Sequence, residues 1–427
     1  MNIKKRTPYV FFIILLLTTE FFYIEVFGGS LRIYHLLVPI VVIALYGYLP
    51  RVLNTWVFWI LSAFLVINGI AASLAAFPDQ AMTSVGLLAV NMGIALAVAL
   101  ILVSGRLTLR FLMKTVLGVG IISVLFGVLQ IVAYHFAGIN LALSESQDLQ
   151  ILAGFAPAFR TEANTFAKFL NAVFLLVLPT LLSSPRWKPS LMIIGILLLG
   201  MLISLTRSAL YGLSVTLVLV YFWYLLQGKG RPIAPRPFLF LGLGAAALAI
   251  FAGMVGGFNE YAAHKLMTFF DSEEILAGGS SGFRLMSQGI LWDSFLSSDK
   301  TIFFGNGWGQ VKFLLGDRVM QAGGAEIIVA LAYGGIFGGI LYLLYQISAI
   351  QAAHRMATRC FKENAPVYEG VMFALWGLLI TGQINGAMIA PEYWMMYGVA
   401  IYCGYAAKAH RALRLTEPIR KPRGSLL

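Results

Sequence analysis

The chain has 427 residues, 59% of them hydrophobic and only 11% charged, with 43 glycines and a formal net charge of +12; its mean hydropathy is +0.85. Soluble domains carry about a quarter of their residues as Asp, Glu, Lys and Arg and lack apolar runs of about 20 residues, so a soluble enzyme is excluded. The length suits about a dozen membrane helices of about 20 residues each.

Lys4, Lys5 and Arg6 precede an apolar run to Phe27 that no small-residue cleavage site follows, which predicts a retained first helix over 8–27. Further spans are predicted at 33–49, 55–76, 83–104, 111–136, 161–182, 190–206, 208–227, 237–256, 326–349, 367–386 and 391–408. The run 190–227 is too long for one span. Arg207 lies near its middle, and a lone arginine at the bilayer centre costs several kcal/mol, so a tight turn is expected there. Sustained apolar/polar alternation is missing, which argues against a barrel. The reading is an all-α, polytopic membrane protein with about 12 transmembrane helices in a single domain over 1–427.

With the N-terminus cytoplasmic, 21 of the 30 basic residues and only Glu363, Glu369 and Glu417 among the acidic ones fall inside, +18 in all. The other nine basic and 15 acidic residues fall outside, −6 in all. One topology with both termini cytoplasmic satisfies both biases. The basic residues are scattered over inner loops and a short tail, 409–427, which removes the support for a nucleic-acid partner.

Two outer segments exceed turn length, 137–160 and 257–325, the second between helices nine and ten. Loops this long are usually functional or disordered. The aromatic content of the second argues for order, and Phe283, Met286, Ile290 and Phe295 fall near the spacing of a surface amphipathic helix. No internal repeat suggests a secondary transporter.

On this acidic outer face the arginines are the exceptions. Arg160 stands before helix six in FRTEANTFAKFL, Arg207 in SLTRSALYG and Arg284 in GSSGFRLMSQG. Guanidinium groups suit bidentate capture of phosphate oxygens; the alternative for each is an interfacial arginine reaching to headgroups. Lys168 and Asn164 follow Arg160 on the same helix, with a snorkelling or a phosphate-binding role open to Lys168. Cys360 and Cys403 form no disulfide framework, His264 is an isolated loop histidine, and the acidic run 271–274 reads as a solvated loop. No metal site and no Asp-x-Asp pair is legible, so no cofactor is expected.

The segment Arg160-Thr-Glu-Ala-Asn-Thr-Phe-Ala resembles a signature of the O-antigen polymerase and O-antigen ligase superfamily. Leu205-Thr-Arg-Ser-Ala-Leu, Ser281-Gly-Phe-Arg284 with Ile302-Phe-Phe-Gly-Asn-Gly-Trp-Gly, and Ala332-Tyr-Gly-Gly-Ile-Phe-Gly338 resemble its later elements in order. The resemblance covers about residues 150–345, nearly half the chain. It implies an integral-membrane glycosyltransferase of the bacterial inner membrane, acting on undecaprenyl-pyrophosphate-linked glycans at the outer face, with Arg160, Arg207 and Arg284 on the pyrophosphate; with no metal site legible, the enzyme is expected to be metal-independent. The resemblance also implies a flippase and a chain-length regulator as partners.

Three departures favour a polymerase over a ligase. Gly324 and Ala325 stand where ligases carry a His-Asn or His-Ser pair, Ala163 replaces a proline, and Thr206 replaces a serine. Displacing an anomeric pyrophosphate needs charge stabilisation on the leaving group and a base for the acceptor hydroxyl. Glu162, two residues from Arg160, is the first candidate base and Glu326 the second; Trp308 is a candidate for stacking on a sugar. A transporter of lipid-linked oligosaccharides is the alternative of another class, disfavoured because few charges lie within spans.

Overall fold

A computed structural model of the chain describes residues 6–227 and 279–416, except 21, 27–28, 153, 205, 316–317, 385, 387 and 389; a few residues, Arg207 among them, are described by backbone alone. The expected span 237–256, His264, the acidic run 271–274 and the tail from residue 417 lie outside the described residues.

The first helix, α1 (Thr7–Thr18), is followed by a hairpin of β1 (Tyr23–Val26) and β2 (Gly29–Arg32) and by α2 (Ile33–Ala44). Next come α3 (Leu49–Leu53), α4 (Trp56–Ser73), α5 (Pro78–Val103), α6 (Leu109–Ala137), the short α7 (Glu145–Leu152), α8 (Ala163–Leu182), α9 (Trp187–Ile203) and α10 (Arg207–Leu226). After the undescribed stretch follow α11 (Gly279–Leu296), α12 (Asp299–Phe304), a hairpin of β3 (Lys312–Leu315) and β4 (Arg318–Gln321), α13 (Glu326–Arg359), α14 (Ala365–Ile384) and α15 (Pro391–Thr416).

Among the described residues seven helices are long and apolar enough to cross a membrane: α4, α5, α6, α8, α10, α13 and α14. The bent pair 33–44 and 46–53, at 67°, makes an eighth if it is one span, and α1 and α9 are shorter apolar helices. The outward faces agree with a lipid surround. On α6, Ile122, Leu125, Leu129, Val132 and Phe136 form a stripe that is 45% to 69% exposed. On α13, Ile336, Phe337, Ile340, Leu343, Leu344 and Ile347 form another, 38% to 49% exposed. Water would not tolerate such continuous apolar stripes; hydrocarbon does, and helices satisfy their own backbone groups in it. The chain is an all-α membrane protein.

Small residues let the helices approach where lipid supplies no hydrophobic drive. A methyl at Gly370 of α14 would lie 1.9 Å from the Leu176 carbonyl oxygen of α8, and one at Gly398 of α15 would lie 2.5 Å from that of Ala95 on α5. The two ends of the bundle are distinct. At one, Arg110 donates to the Glu363 carbonyl and to Asn364 Oδ1 at 2.9 and 2.7 Å, and Lys408 to Asn54. At the other, Lys300 donates to the Leu74 carbonyl and Lys312 to Gln80 Oε1 at 3.2 Å. This second end carries residues 138–162 and the described part, 279–325, of the second long connection.

Several elements differ from the sequence expectation, among them the span expected over 33–49, which bends by 67° between 33–44 and 46–53. The first span stops at Thr18 instead of reaching Phe27, because the Thr18 and Thr19 hydroxyls turn back onto the carbonyls of Ile14 and Leu15 and the chain enters the β1–β2 hairpin. The span expected over 326–349 is broken at Gly335, whose φ of 66° and ψ of −168° are not helical. The break lets 326–334 fold back along the rest of α13, so that a methyl at Gly338 would lie 2.9 Å from the Ala330 carbonyl oxygen. The expected division of 190–227 is present, α9 ending at Ile203 and α10 starting at Arg207. The surface helix expected around Phe283 to Phe295 is α11, but Met286 is exposed; its inward face is Ser287, Leu291 and Phe295.

Candidate functional site

Four helix starts meet at the loop-bearing end: α2, α8, α13 and α15. The loop before α8 is held by two glutamines. Gln130 Oε1 of α6 accepts from the Ala158 N–H at 2.9 Å, and Gln147 Nε2 of α7 donates to the carbonyls of Ala158 and Arg160 at 3.1 and 2.5 Å. Ala158 has φ of 52°, a left-handed value rare outside glycine. Phe159 stacks on Phe126 at 4.7 Å between centroids. Together these contacts turn Arg160 inward.

Arg160 is 1% exposed. Its Nη1 lies 2.7 Å from Glu20 Oε2 and 3.0 Å from Glu392 Oε2, and its guanidinium sits 4.3 Å from the Phe169 ring centre. Burial opposes the charge, but the carboxylates of Glu392 and Glu20 outweigh it and hold the pKa above its ordinary value. Arg32 joins from the start of α2, with Nη2 3.8 Å from Glu20 Oε1 and Nη1 donating to the Tyr34 hydroxyl at 3.0 Å. Two cations and two anions thus form a buried cluster. Among the described residues, Arg160 Nη2, Arg32 Nε and Glu392 Oε1 lack hydrogen-bond partners.

The second group lies along α8. Asn164, Lys168 and Asn171 share one helical face by their i, i+4 and i+7 spacing. Asn171 donates to Thr381 Oγ1 of α14 at 3.1 Å, and Lys168, 4% exposed, donates from Nζ to the Gly386 carbonyl at 2.7 Å. Lys168 interacts electrostatically with Glu326, Arg284, Glu392 and Glu162. Arg284, half-buried on α11, is brought to the same place because Ser287 grips Gly323 from both sides, its Oγ donating to the carbonyl and accepting from the N–H at 2.7 Å. Burial pushes the Arg284 guanidinium below its ordinary value, and the Glu162 carboxylate opposes this. Glu162 is exposed and caps α8 in position only, making no side-chain cap bond. Asn164 Oδ1 is buried without a partner among the described residues.

Glu326 is 1% exposed at the start of α13. Its Oε2 accepts from Tyr342 at 2.8 Å and from Tyr393 at 3.4 Å. Behind them Gln383 donates to the Tyr342 hydroxyl at 2.8 Å, Gln346 to that of Tyr393 at 2.8 Å, and the Tyr345 and Tyr393 hydroxyls lie 2.7 Å apart.

Of the residues expected from sequence, Glu162, Lys168, Arg284 and Glu326 form one electrostatic group, with Asn164 on the Lys168 face. Arg160 is next to them but committed to carboxylates. Arg207 opens α10, and its side chain lies outside what the structure describes. Trp308 is employed in packing: its indole N–H donates to Asn68 Oδ1 of α4, and its ring lies 5.4 Å from that of Tyr333. Glu392, Arg32 and Gln147 belong to no motif legible in the sequence; Glu20 stands out there only as a charge inside an apolar run, which signals a partner without naming it. Among the described residues no three His, Cys, Asp or Glu side chains stand close enough to hold a metal ion. No protein-family model and no curated protein matches the chain.

Proposed function

We propose that the protein is a polymerase of undecaprenyl-pyrophosphate-linked oligosaccharide repeats, building an O-antigen, capsule or exopolysaccharide at the outer face of a bacterial inner membrane. The observation that carries this reading is the chain of contacts at the loop-bearing end of a lipid-facing bundle: Lys168 binds Gly386, which packs against Gly324 and Glu326, and Ser287, one turn after Arg284, holds Gly323. Two cations beside the start of a membrane helix suit a pyrophosphate whose lipid tail stays in the bilayer. The carboxylates of Glu162 and Glu326 suit the acceptor hydroxyl. About twelve spans, cytoplasmic termini and an outward-facing loop end complete the reading, which follows the distribution of basic residues.

In this account Lys168 and Arg284 bind the donor pyrophosphate, with Arg207 as a further candidate. Arg160 acts through its ion cluster, fixing the starts of α8 and α15 against Glu20. A flippase would supply the lipid-linked repeats, and a chain-length regulator would set their final number. Deleting the gene tests the class of reaction. A polymerase mutant leaves single repeats on the carrier lipid; a ligase mutant accumulates long polymer there, and a transporter mutant keeps unextended repeats on the cytoplasmic leaflet.

A further inference from the structure

We infer that Glu326, rather than Glu162, is the general base of the transfer; the inference rests on the polymerase reading. Three observations separate the two carboxylates. Glu162 is exposed and makes no side-chain cap bond at the start of α8. Glu326 is 1% exposed and is oriented from behind by two phenol donors on the same oxygen, Tyr342 and Tyr393. It is also wedged by backbone: a methyl at Gly382 would lie 2.7 Å from Oε2 and 2.9 Å from Oε1.

The fold-back at Gly335 is what delivers this carboxylate. In a continuous helix residues 326 and 342 would be about 24 Å apart along the axis, whereas here the Tyr342 hydroxyl lies 2.8 Å from Glu326 Oε2. The broken helix thus brings an acid from the loop-bearing end back onto the bundle interior, next to Lys168, whose ammonium is held by the Gly386 carbonyl at 2.7 Å. A methyl at Gly386 would lie 3.8 Å from Glu326 Cγ and 3.3 Å from the Gly324 carbonyl oxygen, so the Lys168 and Glu326 walls are joined at Gly386.

The step balances without a metal or redox partner. The acceptor sugar hydroxyl gives its proton to a Glu326 carboxylate oxygen, and the hydroxyl oxygen forms the new bond to the anomeric carbon. The bond from that carbon to the pyrophosphate oxygen breaks with its electron pair on the leaving group, which departs as lipid pyrophosphate beside Lys168 and Arg284. The Glu326 proton then passes to water. One displacement inverts the anomeric configuration. Tyr342 and Tyr393 are positioning residues that act through Glu326.

The test uses full-length protein in proteoliposomes, supplied with lipid-linked repeats extracted from the gene-deletion strain. Initial rates are measured for the wild type, Glu326→Gln, Glu326→Asp, Glu162→Gln and Tyr342→Phe, with donor KM for each. Glu326→Gln is expected to lower kcat by about 10²–10⁴-fold with donor KM within a few-fold of wild type, Glu326→Asp to recover part of that loss, and Tyr342→Phe to lower kcat with KM held. Glu162→Gln is expected to lower kcat by a smaller factor than Glu326→Gln, and the new linkage to be inverted. An active Glu326→Gln protein beside an active wild type overturns the base assignment alone, as does a retained linkage or a loss confined to KM. A wild type that extends no repeats overturns the polymerase reading and this inference with it.

Discussion

Arg160 and Glu392, 232 positions apart in the chain, form an ion pair of 3.0 Å with 1% of each side chain exposed. The pair ties the loop before α8 to the start of α15, and Glu20 closes it from the end of the first helix at 2.7 Å. Removing one partner of a buried pair strands the other charge, at a cost of about 3–5 kcal/mol. Arg160→Ala is therefore expected to lower the thermal unfolding temperature in detergent sharply, and Glu20→Gln combined with Glu392→Gln to restore part of it in the Arg160→Ala background. Additive losses would show that the three side chains do not act as a unit.

Gly335 and Gly305 cross back to back, with φ of 66° and 75°. A methyl at Gly335 would lie 2.2 Å from the Phe303 carbonyl oxygen, and the Asn306 and Gly307 N–H groups donate to the carbonyls of Ala332 and Tyr333 at 2.9 and 3.0 Å. Gly335→Ala should cost at least about 1–3 kcal/mol from backbone strain alone. Gly118→Ala, where nothing lies within 4 Å, is the matched control; in a helix interior it should be neutral or stabilising by up to about 1 kcal/mol. Equal unfolding temperatures for the two variants would contradict the fold-back.

Gln147 holds Arg160 by its backbone, so Gln147→Leu keeps the volume and removes the donor to Ala158 and Arg160. Each carbonyl left without a partner costs about 1–3 kcal/mol. Faster hydrogen exchange should appear in residues 155–161, with α8 itself protected. Unchanged exchange there would show that Phe159 on Phe126 is sufficient to fix the loop.

The two ends of the bundle predict opposite labelling. After Cys360→Ala and Cys403→Ala, a cysteine at Lys300 should react with a membrane-impermeant maleimide added to the outer side of the inner membrane, and one at Lys362 should not; both positions are exposed. Labelling at Lys362 alone would reverse the orientation.

Much of the bundle was legible because apolar runs and spans coincide in hydrocarbon: 55–76 against α4, 111–136 against α6 and 161–182 against α8. Arg207 correctly marked the break between α9 and α10, since a charge carries its own solvation cost. Gly335 carried no such mark. A glycine in an apolar helix looks the same whether it packs or breaks the helix, and what decides is the 305–309 loop hydrogen-bonded against it. The candidate site was legible in part for the same reason. Asn164, Lys168 and Arg284 stand out as polar residues in apolar surroundings, but the partners of Arg160 come from Glu20 and Glu392, and no local pattern links segments so distant. Trp308 is a candidate for stacking on a sugar by residue type alone; its N–H donates to Asn68 and its ring lies beside that of Tyr333, partners that no local pattern announces.

Arg284 tests the account most directly, because it stands on α11, outside the spans, and among the described residues it forms no part of the Arg160 ion cluster. Arg284→Ala, expressed at wild-type level in the deletion strain, is predicted to leave glycan that runs on a gel as single repeats. A long-chain ladder indistinguishable from wild type at equal protein level would contradict the assignment of this end of the bundle to lipid-pyrophosphate chemistry.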